Sequence, residues 1–329
     1  MIRLPAFEYH AAVNLAAAAR LLGELGPSAT VVAGGTDLFP KMKRRQTEPK
    51  TVIDLGGVDE LRGVRTGEDG TVAIGALTTL RELAASPVVP RALATAAGLV
   101  ASPQIRTVAT VGGNLCLDTR CNWYDMSDEW RVAAGRCLKD GGDVCWVAPR
   151  GDRCWAVSSS DLAPVAVALD AELRLVSARG ERTVPAAGHF ADDGLAPLTM
   201  ARDEILTEVV LPRPHAWGTA YHKLRRRGDI DFPIFGAAVA LHVDDAGVCT
   251  AARVAIGAVA SAPVRARDAE AELIGTRLEP EAIEQAAATA AKHVRPFDNT
   301  DLGSRYRKWM APVYAARAMR DAAADLGAG

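Results

Sequence analysis

Two short runs that each end in a pair of glycines constrain this chain more than any other feature. The first is VVAGGTDL, made of Val31, Val32, Ala33, Gly34, Gly35, Thr36, Asp37 and Leu38, and the second is TVGGN, made of Thr110, Val111, Gly112, Gly113 and Asn114. A β-branched run that stops at paired glycines predicts a strand ending in a tight loop. Without side chains such a loop lets the backbone approach a diphosphate, and successive N–H groups form a nest for its oxygens. Thr36 and Asn114 would add side-chain donors. Either pair would equally serve as an ordinary turn needing positive φ. Neither matches the GxGxxG dinucleotide fingerprint or the P-loop, which removes support for those two nucleotide sites.

The remaining punctuation divides the chain into modules, as its 329 residues lead one to expect. Residues 14–25 read as a helix closed by Gly26, and residues 30–33 and 51–55 read as strands, so residues 1–55 form a compact α/β lobe. A second lobe, residues 56–214, has predicted strands at 71–74, 172–176 and 204–211, and helices at 79–85, 89–101 and 162–169. The serines of SSSD precede the last of these helices and are suited to cap it. The Pro212-Arg213-Pro214 stretch breaks pairing and helix alike and marks the boundary. Residues 215–329 then show strands at 220–226, 236–243 and 252–258, followed by helices at 266–273, 280–294 and 304–324, giving an α+β module.

Composition excludes several functions. A net charge of −2 gives no electrostatic reason for nucleic-acid binding, and the runs Lys43-Arg44-Arg45 and Arg225-Arg226-Arg227 read as solvated surface. No stretch approaches the roughly 20 apolar residues of a membrane span, and the N-terminus lacks the apolar core of a signal peptide, so a cytoplasmic protein is expected. The histidines show no HExxH spacing, and no GxSxG elbow is present. In the cytoplasm the six cysteines are not expected to form structural disulfides.

Five of those cysteines, Cys116, Cys121, Cys137, Cys145 and Cys154, fall between residues 116 and 157 with Trp123, Trp130, Trp146 and Trp155. The accompanying Asp118, Asp125, Asp128, Asp140 and Asp143 argue against a plain apolar core, so metal binding is the better reading. Zinc is one candidate, although its short CxxC pairs are missing. A 4Fe-4S cluster, whose thiolates can be widely spaced in sequence, is the other.

Taken in order, AGGTDL, ATVGGN, SSSDLAPVAVALDAEL, EILTEVVLP and AYHKLRRR resemble the FAD-binding subunits of the xanthine dehydrogenase and carbon monoxide dehydrogenase family, over nearly the whole chain. The resemblance implies a two-lobed FAD-binding domain of the vanillyl-alcohol-oxidase/PCMH type and a C-terminal α+β domain of the CO-dehydrogenase flavoprotein type. It implies that Val31 to Leu38 and Thr110 to Asn114 hold the diphosphate, and that Val100 is an apolar position of the flavin site. It further implies that Asp161, Leu206 and Lys223 lie at the flavin.

The insertion, with DTRC-x15-C-x7-C-x8-C at Cys121, Cys137, Cys145 and Cys154, is similar to that of 4-hydroxybenzoyl-CoA reductase β subunits, which implies a 4Fe-4S cluster on those four thiolates. Cys116 is then a non-ligand beside the FAD loop, and Cys249 a buried small side chain. The chain would be an electron-transfer subunit in a dimer of heterotrimers. A large subunit would carry the molybdenum-pterin site, a small one two 2Fe-2S clusters, and ferredoxin or another carrier would exchange electrons with the complex. An FAD subunit serving another heteroaromatic or aldehyde substrate, and a zinc-stapled assembly module, are the alternatives.

Overall fold

The computed structural model describes residues 3–212 and 217–327. The expected boundary at Pro214, with Arg213 and His215, lies outside the described residues.

Three parallel strands open the chain: β1 (Glu8–Ala11), β2 (Ala29–Val32) and β3 (Thr51–Asp54), in the order β1-β3-β2. The crossover is the helix Leu15–Leu25, whose first turn is capped by the Asn14 side chain accepting from Ala17 N at 2.8 Å. It buries Ala18, Ala19 and Leu22 in a small core with Ile53 and Leu55. β1 escaped the sequence reading because all four of its residues are exposed, leaving no apolar alternation to see.

The second lobe is an antiparallel sheet of β4 (Val64–Thr66), β5 (Val72–Gly75), β6 (Glu172–Ser177), β7 (Gly180–Pro185) and β8 (Ile205–Leu211), in the order β4-β5-β8-β6-β7. The helices Arg91–Leu99 and Leu162–Ala168 lie behind it. Every residue of Leu162–Ala168 is buried, because C-terminal residues Tyr221, Ala238, Ala240 and Ala255 close over it in the same core. That is why the segment carries no polar stripe.

The C-terminal sheet is antiparallel, in the order β12-β11-β10-β9, from β9 (Gly218–Leu224), β10 (Phe235–Val243), β11 (Cys249–Gly257) and β12 (Val264–Arg265). Period-two alternation sorts β10 between two cores. Phe235, Ala237, Val239 and Leu241 pack with residues of the helices Pro280–Ala291 and Ser304–Leu326, while Ala238 and Ala240 join the core of the second lobe. The two halves are therefore joined through continuous apolar packing.

One expectation fails locally. The segment before the second glycine pair does not form a ladder strand: Thr110 makes an isolated bridge to Thr79, and Val111–Leu115 is a short helix. Thr110 caps that helix by accepting from Gly113 N at 3.1 Å, so its threonine is a cap rather than the end of a strand.

The insertion, residues 116–157, contains a short α-helix, Asp128–Ala133, and a 3-10 turn, Leu138–Asp140, and is otherwise irregular. It is closed at its base by Arg120 and Val157, whose backbones exchange hydrogen bonds of 2.8 and 2.7 Å. Trp123, Trp130 and Trp146 contact one another with ring centroids 5.7–6.1 Å apart. The fully buried Arg131 ties the segment to the first lobe, reaching Asp140 at 2.8 Å and the carbonyls of Arg44 and Arg45 at 3.1 and 3.2 Å.

Candidate flavin site and cysteine pocket

A cleft of 510 Å³ opens between the lobes, within the usual range for ligand sites. Fifteen of the seventeen residues expected at the flavin line it: Val31 to Leu38, Val100, Thr110, Gly112, Gly113, Asn114, Asp161 and Leu206. Val111 and Lys223 stand behind the wall.

The first glycine loop leaves β2 and enters the helix Leu38–Lys43. Gly35 has φ +68°, and a β-carbon on Gly34 would overlap the Val108 carbonyl, so both the turn and the packing require glycine. The N–H groups of Gly34, Gly35, Thr36, Asp37 and Leu38 find no acceptor among the described residues. Five adjacent unused donors on a cleft wall are what an anion nest consists of.

The second loop is built differently. Val111 N donates to Thr78 O at 3.0 Å, Gly112 N to Ala76 O at 2.8 Å, Gly113 N to the Thr110 hydroxyl and Asn114 N to Thr110 O at 3.0 Å. Four of its five backbone donors, those of residues 111–114, are consumed by the fold. The Asn114 side-chain carbonyl accepts from Ser160 Oγ at 2.7 Å and Leu162 N at 3.1 Å. It thereby fixes the start of Leu162–Ala168, which Ser160 also caps by accepting from Ala163 N at 3.0 Å.

That helix start carries Asp161, which is 2% exposed and faces the cleft. Both of its oxygens are held from the C-terminal domain: Tyr221 donates its hydroxyl proton at 2.7 Å and Lys223 its ammonium at 2.8 Å. Lys223 also donates to Leu99 O at 3.0 Å. Burial raises the Asp161 carboxyl above its ordinary range and lowers Lys223, and the contact between the opposite charges offsets part of both shifts.

Charged residues gather at the other end of the cleft. Arg120 pairs with Asp37, and Lys41 pairs with Asp118, which also accepts from Lys139 at 2.8 Å. Burial opposes the Asp118 carboxylate, but Lys139 and Lys41 overcome it and hold its pKa below the usual range. Ile230, Asp231 and Phe232 supply a wall from the C-terminal domain. Only the DTRC motif could have hinted at Arg120, and there the eye goes to the cysteine.

Cys121, Cys137, Cys145 and Cys154 are all buried and line one small pocket with Trp123, Tyr124, Lys139 and Trp146. Burial pushes the Cys121 thiol up to about 12, with Cys137 and Cys154 adding to the rise. Cys154 is raised by burial too, with Cys145 and Cys137 contributing. The four thiols thus face a common space. Among the described residues, however, no group of three or more His, Cys, Asp or Glu is drawn together as a set that could hold a metal ion. Cys116 lies apart in the cleft wall, its sulfur 3.8 Å from that of Met200, and Cys249 is buried at the start of β11. No described helix is long and apolar enough to cross a membrane.

Comparison with known proteins agrees with this architecture. Residues 5–214 match the FAD binding domain in molybdopterin dehydrogenase, and residues 219–322 match the CO dehydrogenase flavoprotein C-terminal domain. The chain is 31% identical to the carbon monoxide dehydrogenase medium chain of Hydrogenophaga pseudoflava, covering 97% of each chain. It is 33% identical to the nicotinate dehydrogenase FAD-subunit of Eubacterium barkeri, over 84% of this chain and 83% of the other. A solved carbon monoxide dehydrogenase from Hydrogenophaga pseudoflava superposes with a TM-score of 0.80 at 31% identity, covering 98% of this chain and 99% of that one. These matches support the wider family and neither the finer likeness to 4-hydroxybenzoyl-CoA reductases nor an iron-sulfur cluster in this subunit. The chain belongs to the FAD-binding medium subunits of the xanthine dehydrogenase and carbon monoxide dehydrogenase family of molybdenum hydroxylases, and is an oxidoreductase subunit.

Proposed function

We propose that this chain is an electron-transfer subunit that holds FAD in the cleft and a 4Fe-4S cluster in the cysteine pocket, as in 4-hydroxybenzoyl-CoA reductases. The observation that carries the reading is the convergence of four buried cysteines on one pocket whose lining includes no His, Asp or Glu. Structural zinc sites draw on short CxxC-type pairs, which this segment lacks, whereas cluster thiolates can be widely spaced in sequence, and this favours a cluster over a zinc staple. The Trp123, Trp130 and Trp146 rings shield the pocket.

When bound, FAD supplies the interconversion of two-electron and one-electron steps. The chain's own residues bind and orient it. The free N–H groups of residues 34–38 take the diphosphate, with the Thr36 hydroxyl and the Asn114 amide nitrogen as further donors. Val100 and Leu206 give the ring system an apolar, water-poor wall, and Asp161, held by Lys223 and Tyr221, places a fixed carboxylate beside it. Substrate chemistry would occur on a molybdenum-pterin large subunit, and a small subunit would carry two 2Fe-2S clusters. An arrangement as a dimer of heterotrimers, with ferredoxin or another carrier as redox partner, completes the proposal.

The test is anaerobic purification of the full chain. Flavin absorption with a broad iron-sulfur shoulder and about four irons per chain is expected. Flavin without iron would reduce the reading to a plain FAD subunit of a molybdenum hydroxylase acting on another heteroaromatic or aldehyde substrate. A colourless zinc protein would overturn it.

A further inference from the structure

The cleft and the cysteine pocket are lined by neighbouring residues of one stretch of chain. Asp118 and Arg120 line the cleft, and the next residue, Cys121, lines the pocket. Arg120 is 7% exposed, and its guanidinium pairs with Asp37 and lies 3.9 Å from Asp125 and 4.9 Å from the centre of the Phe232 ring. A single side chain of the insertion thus grips the first glycine loop on one side and the C-terminal domain on the other. A second bridge runs beside it: Lys139, in the pocket lining, binds Asp118, which binds Lys41 on the helix that follows the loop.

Residues 34–38 spend none of their N–H donors on an acceptor among the described residues. Beyond the helix bonds accepted by the Gly35 and Asp37 carbonyls and the packing of Gly34 on Val108, the loop is held by side chains at its margins. Asp37 is the residue that enters the helix, yet its carboxylate does not cap it and is turned to Arg120 instead.

We infer that Arg120 is a positioning residue for FAD, and that through it FAD affinity depends on whether the cysteine pocket is filled. This rests on the reading that the pocket holds a cluster. A filled pocket fixes Cys121, Cys121 fixes Arg120 beside it, and Arg120 fixes the loop that takes the diphosphate. Coupling of this kind is reciprocal, so bound FAD retains iron by the same factor.

The experiment titrates the full anaerobic chain with FAD before and after iron is removed by a chelator, in the wild type, Arg120→Met and Arg120→Lys. Iron removal should weaken FAD binding to the wild type about tenfold, inside the span usual for coupled sites. Arg120→Met should bind FAD about as weakly as the iron-free wild type and lose the response to iron, while Arg120→Lys recovers part of both. FAD should slow iron loss in the wild type and not in Arg120→Met. Wild-type affinity in Arg120→Met, or a full response to iron in that variant, would overturn the inference. If Cys137→Ser, the direct way to empty the pocket, does not fold, chelation of the wild type supplies that state. A wild type that never takes up iron sinks the cluster reading separately, and the FAD titration of Arg120→Met still decides the role of Arg120.

Discussion

The two glycine loops look alike in sequence and do opposite work. Among the described residues the first leaves five consecutive N–H groups unused on the cleft wall, whereas the second spends four of its five on Thr78, Ala76 and Thr110. Residues 34–38 are built to meet something from outside. Residues 110–114 are scaffolding: they seat a short helix, and the Asn114 side chain fixes the start of the helix Leu162–Ala168 with Asp161 at its mouth. The difference is one of hydrogen-bond accounting, which residue identity alone does not reveal.

If the second loop is scaffolding, the largest stability losses should come from the groups it positions. In Lys223→Met the Asp161 carboxylate stays buried, keeping the Tyr221 hydroxyl and the more distant charge of Arg225 but losing its ammonium partner. Removing one partner of such a pair costs about 3–5 kcal/mol, measurable by denaturant unfolding at pH 7. The pH dependence has a definite sign. Burial already raises the folded pKa of Asp161 above its ordinary 3.8, and losing the cation raises it further. The folded variant then binds a proton that the unfolded chain has released, so its deficit is smallest near pH 4 and grows as pH rises through the folded value. A deficit that is flat with pH would show that Asp161 is not the source.

Gly34→Ala tests the first loop. The new methyl group meets the Val108 carbonyl, which is backbone and cannot swing aside, so roughly 1–3 kcal/mol of stability should be lost as overpacking. FAD binding should fall with it, because the donors shift together. If Gly34→Ala binds FAD normally, the free N–H groups are not what holds the ligand.

How far this contrast was legible varies along the chain. The strands Ala29–Val32, Thr51–Asp54 and Cys249–Gly257 announced themselves because burial selects β-branched and apolar residues. β7, whose residues are nearly all exposed, showed no such pattern and was missed, although it pairs along the whole length of β6. The four cysteines were visible as an outlier in composition, but the role of Arg120 was not. Its partners, Asp37 and Phe232, lie 83 and 112 residues away in sequence, and only the fold brings them to one point. Lys223 was picked out from its motif, yet the fold sets it behind Asp161 rather than on the cleft wall.

Asn114→Ala and Thr36→Ala sharpen the comparison at smaller scale, because each removes one polar side chain from one loop. Asn114→Ala strips the acceptor from Leu162 N and Ser160 and should cost about 1–2 kcal/mol, typical for a lost helix cap, with a smaller effect on FAD.

Thr36→Ala should do the reverse. The Thr36 hydroxyl has no hydrogen-bond partner among the described residues, so unfolding should hardly notice its removal. If it donates to the diphosphate, one hydrogen bond of about 0.5–1.5 kcal/mol is lost on binding, which a fluorescence titration would read as FAD affinity falling roughly two- to tenfold. Opposite signatures at two residues that the sequence presents as equivalent would establish the division of labour between the loops. If both variants lost stability and kept FAD, the first loop too would be scaffolding, and the diphosphate would have to be held elsewhere in the cleft.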